Sequence, residues 1–310
     1  MTSQAKIEAF FDAATHTVSY LVSDPASGAA AVIDPVLDYD HASGTVRTAS
    51  SDRILAAASD GGLAITWLLE THVHADHLSA ASYLKQRTGA ATAIGEHTPK
   101  VQASFRPVFN LDEASAVGSE FDRLLREGET VELGDLAIEV MHTPGHTPAC
   151  VSYRIGDAVF PGDTLFMPDY GTARADFPGG CARTLYRSIR RLLDLPPATR
   201  LYLCHDYKAP GRKDHAWETT VAAQRRDNVH VRDGIGEDEF VAMREARDAE
   251  LASPALLLPS IQVNIRAGRL PAAEPNGVRY LRIPLQLPVD DGFKDTSARP
   301  SWPAQHRDQT

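Results

Sequence analysis

Three cysteines in 310 residues, Cys150, Cys181 and Cys204, are too few and too scattered for a disulfide framework or a zinc knuckle, and their number is odd. They read as reduced thiols. The sequence also lacks any apolar run of the roughly 18 residues that a membrane-spanning helix needs. Its first fourteen residues set Lys6, Glu8 and Asp12 among the apolar positions, which is not the pattern of a secretory leader. Positive charge is in short supply. With 31 basic against 41 acidic residues and a formal net charge of -10, the composition argues against nucleic acid or an anionic membrane as a partner. No internal repeat is visible, and a cytoplasmic location is the default expectation.

What is present is enough apolar material for a large core. At 43% hydrophobic content, the expectation is one domain of about 230 to 250 residues with appendages. Short β-rich runs open the chain, Thr17 to Val22 and Ala29 to Ile33, the second ending at Asp34-Pro35. A helix is expected from Ser51 to Ala58, a strand from Ile65 to Leu69, a helix from Leu78 to Arg87 and strands at Ala91 to Ile94 and Leu136 to Met141. Val151 to Ile155 and Ala158 to Phe160 read as a hairpin around Gly156-Asp157. Thr184 to Leu193 reads as a helix and Leu201 to Cys204 as a strand. Further helices are expected from Asp214 to about Arg226 and from Glu237 to Leu251, then a late strand over Tyr280 to Leu287 and a polar stretch after Asp291.

Chemistry-bearing side chains fall at four of these strand ends. His72, His74, Asp76 and His77 crowd into six residues directly after the strand ending at Leu69. Imidazole nitrogens plus a carboxylate are a ligand set for zinc, iron(II) or manganese. In an extended segment His72 and His74 point to one side, and the following turn brings Asp76 and His77 towards it. His146 follows Thr143-Pro-Gly, where Pro144 fixes the approach and Gly145 permits a tight turn. Asp163 in Pro-Gly-Asp-Thr can cap or bridge a metal, and His205 stands just beyond the strand at Cys204. A lone loop histidine is usually solvated or hydrogen-bonded, so His16, His41, His97, His142, His215, His230 and His306 are read as ordinary residues, and the cysteines as packing residues.

The set His-x-His-x-Asp-His, Gly-His, Gly-Asp and a last His resembles the metallo-β-lactamase superfamily, whose α/β fold is a four-layer αβ/βα sandwich with metals at one edge. Within it, Asp34-Pro-Val-Leu37, Glu70-Thr-His-Val-His-Ala-Asp-His77, Thr143-Pro-Gly-His-Thr147, Arg174-Ala-Asp-Phe177, Gly180-Cys-Ala-Arg-Thr-Leu-Tyr186 and Leu201-Tyr-Leu-Cys-His-Asp-Tyr207 resemble the persulfide dioxygenases. The resemblance covers residues 9 to 230 and implies a catalytic domain over 1–233 with a C-terminal extension of unknown role over 234–310. It further implies one non-haem iron(II) held by His72, His146 and Asp163, with His74, Asp76, His77 and His205 around it. Such a triad leaves one face open to a persulfide sulfur and dioxygen. The implied reaction turns glutathione persulfide, dioxygen and water into glutathione and sulfite, a sulfide-detoxifying step. Arg174 is the candidate grip on a glutathione carboxylate, with Tyr207 and Lys208 flanking the same mouth; an ion pair with Asp176 is the structural alternative for Arg174. Thr172 stands where some members carry a cysteine.

Two other readings stay open. In a two-zinc thioester hydrolase of the glyoxalase II type, His72, His74 and His146 bind one metal, Asp76, His77 and His205 the other, and Asp163 bridges them. In the second, the fold is a non-catalytic, sulfur-responsive scaffold, against which stands the intact ligand set. A second copy of the chain is the one macromolecular partner expected, with Ser260 to Leu270, including Asn264, Arg266 and Arg269, either packing back on the domain or making a subunit contact.

Overall fold

The computed structural model describes residues 4–111 and 118–285. In chain order the first part forms β1 (Lys6–Asp12), β2 (Thr17–Ser23), β3 (Ala29–Ile33), β4 (Val36–Asp40), β5 (Thr45–Arg47), α1 (Ala49–Asp60), β6 (Ala64–Leu69), β7 (Leu78–Ser79), α2 (Ala81–Thr88), β8 (Ala91–Gly95), α3 (Thr98–Phe109) and β9 (Arg123–Leu125). The remainder forms β10 (Thr130–Leu133), β11 (Leu136–His142), β12 (Val151–Ile155), β13 (Ala158–Phe160), α4 (Ala182–Leu193), β14 (Arg200–Tyr202), β15 (Glu218–Thr220), α5 (Val221–Asp227), α6 (Glu237–Asp248) and α7 (Leu257–Asn264).

Two six-stranded sheets, ordered β1-β2-β3-β6-β8-β9 and β10-β11-β12-β13-β14-β15, stack face to face. Side-chain alternation explains how β2 serves two layers at once. Val18, Tyr20 and Val22 point between the sheets to meet Val131, Val140, Tyr153 and Phe160, while Leu21 points outward to Ile54 of α1 and Leu84 of α2. The outer face of the second sheet is covered in the same way: Leu185, Ile189 and Leu192 of α4, Val221 and Phe240 bury Met141, Val159 and Leu201. Helix, sheet, sheet, helix is the expected αβ/βα sandwich. A small sheet, β5-β4-β7, joins the end of β3 to the loop after β6.

Several expectations change. The helix expected from Asp214 starts only at Val221, because Asp206 takes the Ala216 amide at 2.9 Å and Glu218–Thr220 pair with β14 as an edge strand. Thr220 then caps α5, its hydroxyl accepting from Ala223 N. Helices α3 and α7 carry prolines that hid them: Pro99 and Pro259 sit in first turns, where an amide has no intrahelical partner. Tyr280–Leu285 is no strand. Its backbone is held instead by the Gln262 amide, which accepts from Arg282 N and donates to Arg282 O. Leu287 and the polar stretch after Asp291 lie outside the described residues. Within 234–285, α6 packs on α4 and α7 packs on β7.

Candidate metal centre

The strands deliver their side chains to one edge of the sandwich. β6 ends at Leu69, and the segment that follows alternates: His72 and His74 turn into the site, Val73 and Ala75 turn out into an apolar cluster. β11 leads into Gly145, whose φ of 138° and close approach to Leu185 leave no room for a side chain, since a Cβ would lie 2.3 Å from the helix backbone. β13 leads through Gly162, where a Cβ would meet Thr71 Oγ1 at 2.5 Å, so glycine lets the Asp163 loop cross the His72 loop. His205 follows β14 and bridges to Thr17 at the start of β2.

His72, His146 and Asp163 converge, with Asp163 Oδ2 3.9 Å from His72 Nε2 and 3.4 Å from His146 Nε2. Asp163 Oδ1 faces the other way, 3.3 Å from His205 Nε2, which also lies 3.3 Å from Asp76 Oδ2. His74, Asp76 and His77 form the adjoining cluster. All seven expected residues therefore share one edge, six of them buried and Asp76 half-buried, with Asp163 between its two halves.

The rings show what the site is built to hold. Each histidine donates one ring N–H outward to a fixed acceptor: His72 Nδ1 to Thr71 Oγ1 at 3.0 Å, His74 Nε2 to Asp34 Oδ1 at 2.9 Å, His77 Nδ1 to Leu78 O at 3.0 Å, His146 Nδ1 to Arg174 O at 2.8 Å and His205 Nδ1 to His16 O at 3.3 Å. Carbonyls and carboxylates only accept, and Thr71 gives its hydroxyl proton to Asp34 Oδ2, which fixes the tautomers and turns the second nitrogen inward. The inward nitrogens of His72, His74, His77 and His205 are buried with no hydrogen-bond partner. Such orphans are costly in a folded interior, and a metal ion is the group that satisfies several together.

The charges agree. Burial alone would raise the Asp163 carboxyl, but His205 and His146 outweigh it and hold the group well below the usual carboxylate range. Burial would push His205 down, but Asp163 and Asp76 raise it to about 9; likewise Asp34 and Glu70 outweigh burial to hold His74 well above an ordinary imidazole. His72 and His77 go the other way, lowered by burial and by His74, His77 to about 4. Without metal, protons fill part of the space that a dication would take.

Beyond the ligand set, Arg174 is gripped on both sides by Asp176, Nε to Oδ1 at 2.5 Å and Nη2 to Oδ2 at 2.6 Å, and its Nη1 reaches Ala252 O at 2.7 Å. The ion pair is thus formed, and the direct contribution of Arg174 to the site is its carbonyl. Tyr207 stacks on His205 with ring centroids 5.4 Å apart, and Lys208 beside it is exposed. Neither of these expected rim residues makes a hydrogen bond or ring contact with His72, His146 or Asp163. A cleft of about 1410 Å³ shares Leu78, Arg174 and Phe177 with the back of the centre, yet none of the seven residues lines it. Supporting residues given no role in the sequence include Glu70 and Thr71, along with two read as ordinary: His16, whose carbonyl holds His205, and Cys204, whose Sγ donates to Asp163 Oδ1 at 2.8 Å. Asn264, expected either to pack back on the domain or to make a subunit contact, packs back on the His74–His77 loop.

A family model described as "Metallo-beta-lactamase superfamily" matches residues 13–205. The chain belongs to the metallo-β-lactamase superfamily. It is 60% identical to a "Probable metallo-hydrolase" of Burkholderia pseudomallei (strain 1710b), over 90% of this chain and 98% of that one. It is 47% identical to "Glyoxylase B2" of Dictyostelium discoideum over 92% and 98% of the two chains, and 28% identical to the human "Persulfide dioxygenase ETHE1, mitochondrial" over 83% and 87%. Among solved structures, ETHE1 from Myxococcus xanthus superposes with a TM-score of 0.69 at 32% identity, covering 85% of this chain and all of that one. No helix among the described residues is long and apolar enough to cross a membrane.

Proposed function

We propose that this protein is a persulfide dioxygenase that uses O2 and water to convert glutathione persulfide into glutathione and sulfite at one iron(II). One observation carries the single-metal reading. Cys204 Sγ donates to Asp163 Oδ1 at 2.8 Å, so that oxygen is engaged and Oδ2 is left to face His72 and His146. Burial and the Asp163 charge push the Cys204 thiol well up, so it stays a donor. Two imidazoles and one carboxylate oxygen on one face suit iron(II) and leave the opposite face open. Bound there, iron would supply joint coordination of sulfur and dioxygen. The chain's own part is to fix His72 through Thr71 and Asp34, His146 through the Arg174 carbonyl, and Asp163 through Cys204. Tyr207 and Lys208 form the proposed rim for the glutathione moiety. Arg174 joins them only by exchanging Asp176 for a substrate carboxylate. The likeness to ETHE1 supports this reading.

A two-zinc thioester hydrolase is the second reading, favoured by the five imidazoles with an inward nitrogen and by the 47% identity to Glyoxylase B2. Metal counting separates the two. After anaerobic loading with excess iron(II) and gel filtration, the proposal expects one metal per chain. Two per chain, with thioester hydrolysis by the zinc-loaded protein and no oxygen consumption, would establish the hydrolase instead.

A further inference from the structure

The loop that carries His72, His74, Asp76 and His77 rests on the last helix. Its outward side chains, Val73 and Ala75, pack in one cluster with Ile261, Ile265 and Ala267. α7 also reaches the loop's backbone through a single side chain. Asn264 Nδ2 donates to His74 O at 2.8 Å and to His77 O at 2.7 Å, and Asn264 Oδ1 accepts from Ser79 N at 2.7 Å. A carboxamide supplies two donors and an acceptor from one planar group, which is what two carbonyls and one amide require. The Asn264 side chain is buried, so water does not substitute for it.

Two neighbours fix where Asn264 sits. Gly268, with φ of 76°, comes so near the end of the loop that a Cβ would lie 2.7 Å from Ser79 O and 3.1 Å from Ser82 N. From the opposite side, Gln102 of α3 donates to Ile265 O at 2.8 Å. α7 is therefore wedged against the loop, although it lies outside the residues 13–205 that the family model matches.

We propose that Asn264 is a positioning residue of the metal centre, setting the separation of His74, Asp76 and His77 so that metal affinity, and not only fold stability, depends on it. The inference rests on this loop binding metal: in the two-metal reading Asn264 holds the backbone of the ligands themselves, and in the single-iron reading it acts on His72, two residues before His74, through the same loop. His74 and His77 are held at their rings by Asp34 and by Leu78 O, but their backbone is held by Asn264. Metal–ligand distances tolerate only about 0.2 Å of error. Loss of an outer partner of a metal ligand typically weakens metal binding by about 10- to 100-fold.

The test uses the full chain, stripped of metal and titrated with zinc(II) alone against a competing chelator, alongside melting of the metal-free protein. Asn264→Ala is expected to weaken zinc binding by about 10- to 100-fold. Asn264→Asp keeps the size and the acceptor for Ser79 N but turns an oxygen on two carbonyls, so it should weaken binding at least as much. It also serves if Asn264→Ala fails to fold. Ile54→Ala, in the core beneath α1, should lower the melting temperature without changing zinc affinity. Zinc affinity within about twofold of wild type in either folded Asn264 variant would overturn the proposal. If the wild type itself binds no zinc, the metal-centre reading fails first, and it does so independently of the comparison between variants.

Discussion

Replacing Asp34 by Asn tests how the site controls the proton on His72. Asp34 Oδ1 accepts from Thr71 N at 2.7 Å and His74 Nε2 at 2.9 Å, and Oδ2 accepts from the Thr71 hydroxyl at 2.8 Å. With its proton committed to Asp34, Thr71 Oγ1 can only accept from His72 Nδ1, leaving the lone pair on Nε2 to face Asp163. Asn fits the same space and tolerates the left-handed backbone at this position, where φ is 50°. Its oxygen must stay at the Oδ1 position to serve two donors, so its NH2 faces Thr71. The hydroxyl then accepts from Asn and is free to donate to His72 Nδ1, which moves the imidazole proton to Nε2 and blocks ligation. Two charge-assisted bonds at Oδ1 become neutral ones, at about 1 kcal/mol each, so the metal-free protein should lose about 2 kcal/mol. Metal binding should weaken by about 10- to 100-fold, or about 1.4 to 2.7 kcal/mol. Urea unfolding of the metal-free chain and zinc titration against a chelator read the two quantities. An Asp34→Asn protein that loses stability but binds zinc as tightly as wild type would refute the relay.

Other predictions concern charge and backbone. His205, at about 9 in the folded chain against about 6.5 unfolded, contributes stability that is complete below pH 6.5 and lost as pH rises through 9. His77, at about 4, acts oppositely, since the unfolded chain gains its proton first as pH falls from about 6.5. The urea midpoint of metal-free protein should therefore peak between those limits, and a midpoint still climbing at pH 9 would contradict the His205 assignment. Loading one metal at pH 7.5 leaves His74 and His205 protonated, whereas loading two expels about two protons, which calorimetry in buffers of different ionisation enthalpy distinguishes. Gly145→Ala should cost about 3 kcal/mol or more and abolish tight metal binding, because a Cβ there meets the backbone of Leu185; wild-type melting behaviour would mean that α4 moves freely.

The seven residues that converge were legible because each follows a strand, four of them crowd into six residues, and His146 and Asp163 directly follow a glycine, a pattern that survives in one dimension. Their supports were not. Four of the acceptors that orient the rings are backbone carbonyls or a threonine hydroxyl, at Leu78, Arg174, His16 and Thr71, and carry no sequence signal of their own. Asn264 lies 190 and 187 residues from the carbonyls it holds, so only the packing of α7 reveals it. The strands β2, β3 and β6 were readable as short β-rich or apolar runs and the sandwich from the resemblance to the superfamily, whereas β15 was mistaken for helix because Asp206 overrides local propensity from ten residues away. Arg174 shows the limit from the other side: a residue suited to a carboxylate found one two positions along its own chain, in Asp176.

The most direct test is oxygen consumption by the anaerobically purified, iron(II)-loaded protein on addition of glutathione persulfide, with His146→Ala measured beside it. The account predicts rapid uptake with sulfite formed, and its loss in the His146→Ala protein. No uptake by wild-type protein shown to hold iron would contradict it.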